Sequence, residues 1–137
     1  MTPSIRFVLF GFAAAVCAAA PASAHHSLAM YDRSQNKEVI ATVKAWDWAS
    51  PHSFIHVVIP KPDGTMEEAN FEGTSVYGLS RTGWSKEMMH PGDKITIHYN
   101  PRSDGHVGGL FQIVVTADGK KYVGPFANQA GPDAVFR

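Results

Sequence analysis

Two short runs of alternating residues flank Pro60-Lys61-Pro62-Asp63-Gly64, and a chain so arranged has few ways to fold. Ser53 to Ile59 is rich in Phe, Ile and Val. Thr65 to Phe71 is poorer in strand formers because of Glu67, Glu68 and Asn70. Extended chain on both sides of a Pro/Gly turn predicts a hairpin. With the turn centred near Pro62, His56 faces Glu68, Phe54 faces Asn70 and His52 faces Glu72. The period of two puts these residues on one face. Their charges make poor core, so Ile55, Val57 and Ile59 are expected to point inward.

The flanking segments extend this pattern. Glu38 to Trp48 alternates and is rich in β-branched residues, so it predicts a strand ended by Ser50-Pro51. Thr74 to Gly83 is the sole helix candidate. Thr74 or Ser75 caps it, Val76, Leu79 and Tyr77 face inward at helical spacing, and Gly83 closes it. After the Pro91-Gly92-Asp93 turn, Lys94 to Tyr99 predicts a fourth strand and Leu110 to Thr116 a fifth. Asn100 to Gly109 reads as a loop, with Gly105-His106-Val107-Gly108-Gly109 as its flexible part. Tyr122 to Phe126 suggests a short sixth strand. The order β-β-β-α-β-β over residues 38–126 predicts a mainly β, five-stranded OB-like barrel, the helix plugging one end. An SH3-type barrel gives a similar order without the helix. Val43, Val57, Ile95, Ile97, Ile113 and Val115 are the expected core.

The start of the chain reads differently. Arg6 precedes an unbroken apolar run from Phe7 to Ala20, and Ala22-Ser23-Ala24 follows. A basic start, a short apolar run and an A-x-A site predict a secretory signal peptide over residues 1–24 and a periplasmic or secreted mature protein. The run is short of the ~20 residues that span a bilayer, so no membrane span is expected after cleavage. Residues 25–37 then form an N-terminal arm and residues 127–137 a loose tail. The only Cys of the 137 residues is Cys17, inside the apolar run, so the mature chain offers no disulfide and no thiolate ligand. Removing Arg6 from 12 basic and 12 acidic residues leaves a formal charge of −1. That balance provides no stripe to follow a phosphate backbone, and nucleic acid is not an expected partner.

The chain carries seven histidines, all after Ala24. His25-His26 would stand at the mature terminus, where an α-amine and an imidazole of one residue can chelate Cu(II). Copper is thus the one candidate cofactor, with His25, His26 and His52 as candidate ligands. His52 and His56 cannot share an ion along a straight strand, being about 13 Å apart at ~3.3 Å per residue. No G-x-S-x-G, S-x-x-K, H-E-x-x-H or phosphate-binding glycine loop is present. The reading is a non-catalytic binding protein for a small ligand or a periplasmic partner, with His52, Phe54, His56, Glu72 and Trp48 as candidate binding residues. The alternatives are a copper-handling protein using His25 and His26, and an enzyme using a His52/Glu72 pair.

Several segments together resemble a family of secreted bacterial proteins, domain-of-unknown-function family 6152. They are Ala24-His25-His26-Ser27-Leu28, Trp48-Ala49-Ser50-Pro51-His52, Arg81-Thr82-Gly83-Trp84 and Pro91-Gly92-Asp93. The resemblance spans nearly all of the mature chain. This sequence has Leu28 where the family usually has Phe, and Ser50 where it usually has Asn. The resemblance implies export and the extent of the domain, and it carries no activity.

Overall fold

The structure, a computed structural model, describes residues 28–127. A turn of 3-10 helix at Leu28–Met30 leads to β1 (Lys37–Asp47), β2 (Phe54–Pro60) and β3 (Met66–Glu72). Helix α1 (Val76–Ser80) and a 3-10 turn (Lys86–Met88) follow, then β4 (Lys94–Pro101), β5 (Gly108–Val115) and β6 (Lys121–Val123). Strand β1 serves two partners. Its first half pairs with β4, Val39 opposite Ile97, and its second half pairs with β2, Val43 opposite Val57. A register shift between Val43 and Ala45 marks the bulge at which the strand bends.

Closure comes from the one parallel pairing, β3 with β5. The strand path β1-β2-β3-β5-β4 returns to β1, and β6 is added along β5. The result is the closed, mixed five-stranded OB-like barrel that the order of strands and helix predicts. Ile55, Val57, Phe71 and Ile97 have no exposed surface, and Val43, Ile95 and Ile113 are nearly as buried. Each such side chain contributes about 1.5–3 kcal/mol by leaving water. Val115, expected in the core, is only half-buried because it lies at the last β5 pair, opposite Lys121.

Helix α1 is shorter than the expected 74–83. Ser75 Oγ accepts from Gly78 N at 3.3 Å, and the chain leaves the helix through Gly83, whose φ is +85. Its buried contribution is Leu79, which joins the core together with Trp84, whereas Tyr77, expected to face inward, is exposed because the five-residue helix turns only one side to the barrel. Trp84 stacks on Phe111 at 4.9 Å and donates its indole N–H to the Val123 carbonyl at 3.0 Å. Helix and following turn thus seal one end of the barrel.

Two further expectations are corrected. The hairpin register is displaced by two residues: Phe54 pairs with Glu72 and His56 with Asn70. The turn centres on Asp63 rather than Pro62. Asp63 Oδ1 accepts from Thr65 N at 2.9 Å, and Gly64 takes φ +84, so Lys61–Thr65 closes the loop. A shift of two preserves the faces, and the polar set still points outward. The second correction concerns Gly108-Gly109. They are not a flexible loop but the buried start of β5, opposite Asn70 and Phe71. A Cβ on Gly108 would lie 2.4 Å from the Asn70 carbonyl, and one on Gly109 2.2 Å from that of Asn100. The backbones meet where side chains have no room, and the connecting loop shrinks to residues 102–107.

Candidate functional site

The segment between β1 and β2 delivers His52. Its turn contains a cis Ser50–Pro51 bond. Ser53, fully buried, fixes the exit: its hydroxyl donates to the Ala49 carbonyl at 3.0 Å, and its backbone pairs with Gly73 and Thr74. His52 therefore sits just beyond the last β2–β3 pair and reaches diagonally to Glu72. His52 Nδ1 lies 2.7 Å from Glu72 Oε1.

Glu72 is held from its other side as well. The Tyr31 hydroxyl donates to Glu72 Oε2 through a short hydrogen bond. Tyr31 is buried, bridges to Arg102 along the backbone, and brings the 3-10 turn at Leu28–Met30 against the barrel. Burial, then the hydrogen bond and charge of Glu72, push its phenol well above the ordinary value of 10.0, so it remains a donor at all ordinary pH. Beside it the Arg102 guanidinium holds the Asp104 carboxyl down to about 2. The Glu72 side chain is 13% exposed against 35% for His52. A carboxyl group with both oxygens engaged orients the imidazole through Nδ1. In the neutral tautomer that carries its proton on Nδ1, an imidazole has its lone pair on Nε2.

His52 and Glu72 line a small cavity of about 150 Å³. Its wall is apolar where Leu28, Leu110 and Phe126 contribute and polar where His52, Glu72 and Thr74 do. The sequence pointed to His52 and Glu72. It did not point to Tyr31, Leu28, Leu110 or Phe126. The Leu28–Asn36 stretch has no period and reads as an extended arm, yet Tyr31 packs down and Asn100, itself buried, donates to the Gln35 carbonyl at 2.7 Å.

The remaining candidates lie apart from this cavity. His56 Nδ1 is 2.6 Å from Asn70 Oδ1 and its Nε2 is 2.8 Å from Asp47 Oδ2, so both ring nitrogens are engaged. Phe54 stacks on the His56 ring at 6.2 Å. Trp48 packs on Trp46 at 5.4 Å, half-buried at the edge of the core. His25 and His26 lie outside the described residues. Among the described residues, no group of three or more His, Cys, Asp or Glu side chains is placed to hold a metal ion.

A protein-family model described as a family of unknown function, DUF6152, matches residues 14–112. The chain belongs to this family. The match takes in Leu28, Tyr31, His52, Glu72 and Leu110, and stops within β5, so the DUF6152 region holds the whole His52–Glu72–Tyr31 constellation while β6 and Phe126 lie beyond it. No curated protein matches the chain, and no solved structure does.

Proposed function

We propose that this DUF6152 protein is an exported binding protein that takes its ligand at the His52 corner. The observation that carries the reading is the orientation of His52, set by a carboxylate that Tyr31 holds in turn. A side chain so fixed loses little freedom when a ligand arrives, and this preorganisation favours binding. The group it presents is a lone pair beside an apolar wall. Its complement is a hydrogen-bond donor or a metal ion, attached to or accompanied by a small apolar body. The Phe7 to Ala20 run with Ala22-Ser23-Ala24 supports export. An enzyme built on the same pair would use Nε2 as a general base. Binding requires only the fixed imidazole and the wall, and it is the reading adopted.

Phenol is a suitable probe, since it offers an O–H donor on an apolar ring. In an NMR titration, phenol should shift the His52 ring signals and the amides of Gly73, Thr74 and Leu110. His52→Ala should abolish those shifts, whereas His56→Ala should leave them. Signals at these positions that do not move with phenol would overturn the assignment of the corner as a binding site.

A further inference from the structure

A second cavity, of about 430 Å³, also has Tyr31 in its wall. It forms where the Leu28–Asn36 stretch crosses the end of β4. Asp32 donates its backbone N–H to the Pro101 carbonyl at 2.8 Å, and Ser103 donates to that of Met30 at 2.8 Å. The crossing brings Arg33 and Lys37 to the same cavity as Arg102, although they are distant in the chain.

These three cations line the cavity against one carboxylate, Asp32. That carboxylate is already committed. Its Oδ1 accepts from the Ser34 backbone N–H at 3.1 Å and from the Ser34 hydroxyl at 2.5 Å, and its Oδ2 from Gln35 Nε2 at 2.6 Å. Asp104 stands beside Arg102 and accepts from its Nε at 3.0 Å and from its Nη2. The pair fixes the plane of the guanidinium and does not engage Nη1. Counting both carboxylates, three cations against two anions leave +1, on a chain whose formal charge is zero. The cavity beside β6 has the opposite sign, for Glu87, Asp93 and Asp118 line it with one cation, Lys120.

We propose that this cavity binds the phosphate group of a small, hydroxylated phosphate monoester, held by Arg33, Lys37 and Arg102. A guanidinium presents paired N–H donors that match phosphate oxygens, and a lysine adds a compact charge. The volume lies within the range of about 300–1,000 Å³ typical of small-molecule sites, so it holds more than one phosphate ion and leaves room for the body that carries it. Gln35 and Ser103, which line the remainder, are polar, and the body they suit is hydroxylated rather than apolar. The site is independent of the His52 corner, since none of its three cations lines that cavity.

The test is a titration of the protein, followed by calorimetry and NMR, with glucose 6-phosphate, inorganic phosphate and glucose. Glucose 6-phosphate should bind at one per chain and shift the backbone amides of Arg33, Ser103 and Gly105, and glucose should do neither. Weaker binding of inorganic phosphate supports the monoester; equal binding overturns the attached body and leaves free phosphate as the ligand. Arg33→Gln and Lys37→Gln should each lower affinity about 10-fold, the loss of one hydrogen bond between charged groups, and the double variant should abolish the amide shifts. Lys37 is exposed and Arg33 half-buried, and neither belongs to the core, so both variants are expected to fold. Arg102→Lys keeps the charge, loses the planar fork and should cost as much. Lys44→Gln removes an exposed lysine paired with Glu68 elsewhere on the barrel and should change nothing. Amides that do not move with glucose 6-phosphate, or unchanged affinity in the double variant, would overturn the site. An equal loss in Lys44→Gln would reduce the binding to unspecific charge and overturn it as well.

Discussion

His52 and His56 stand four residues apart on one edge of the same hairpin, and both meet carboxylates, yet their rings end in opposite conditions. His56 lies inside the β2–β3 ladder, opposite Asn70. Neighbours on both sides reach it, Asn70 from β3 and Asp47 from β1, and they occupy both nitrogens. His52 lies beyond the last ladder pair, where strand β1 has already turned away. Among the described residues its ion-pair contact is with Glu72, at Nδ1. A sheet face satisfies the polar groups it carries, because each residue has cross-strand neighbours within about 5 Å. The open nitrogen arises where the ladder ends and a loop delivers a side chain that the next strand cannot complete.

This contrast depends on the barrel being closed, since closure places Glu72 opposite Leu110. The sharpest way to break it is Gly108→Ala. Gly108 has φ +123, and a Cβ there would meet the Asn70 carbonyl at 2.4 Å. The substitution should cost about 3 kcal/mol, from backbone strain and the clash together. It should disturb Glu72 and His52 while leaving the His56–Asp47 contact between β1 and β2 in place. Urea denaturation measures the first and NMR the second. A cost below about 1 kcal/mol would show that closure does not depend on this close approach.

Tyr31→Phe acts one step later, on the carboxylate itself. It removes the donor to Glu72 Oε2 and leaves an oxygen of a mostly buried side chain unsatisfied. A loss of about 1–2 kcal/mol at neutral pH is expected by denaturation. A loss below about 0.5 kcal/mol would mean that water replaces the phenol freely, and that Tyr31 does not hold the corner.

The architecture was readable because its signals are local. Alternation in β1 and β2, the Asp63-Gly64 turn and the Ser75 cap each act over a few residues. The parity of the hairpin faces was readable too, since it survives a displacement of two. What could not be read is what depends on contacts between distant segments. Gly108-Gly109 has the composition of a loop, and only the approach of β3 turns it into strand. Tyr31 lies in a polar stretch with no period, and its hydroxyl matters only because Glu72 lies on a strand 41 residues away. The His52–Glu72 contact was expected from a direct pairing and is found as a diagonal one, for the turn is displaced by one residue toward Gly64.

Alkaline pH distinguishes Tyr31 from the rest of the corner. The fold raises its pKa above the ordinary 10.0, chiefly by burial. A group with a raised value in the folded state stabilises fully below its unfolded value and loses that contribution as pH rises past it. The wild-type protein should therefore lose stability from about pH 10 upward. Tyr31→Phe should lose less over the same interval, because its ring has no proton to give. Tyr99, also raised by burial, contributes equally to both. Parallel pH profiles for the two proteins would separate Tyr31 from the alkaline response.

The smallest effect is expected at the other histidine, and its smallness is the point. His56→Ala removes contacts to Asn70 and Asp47, but the imidazole is about a third exposed and Asp47 more than half. Water takes over both partners at little cost, and pairs this exposed are worth roughly 0–1 kcal/mol. The stacked ring of Phe54 gains exposure and adds a little to the loss. The expected change is within about 0.5 kcal/mol of wild type by urea denaturation. A loss well above about 1 kcal/mol would mean that the sheet-face histidine is a structural element of the barrel. The two rings would then differ in what they hold together as well as in which nitrogen they leave open.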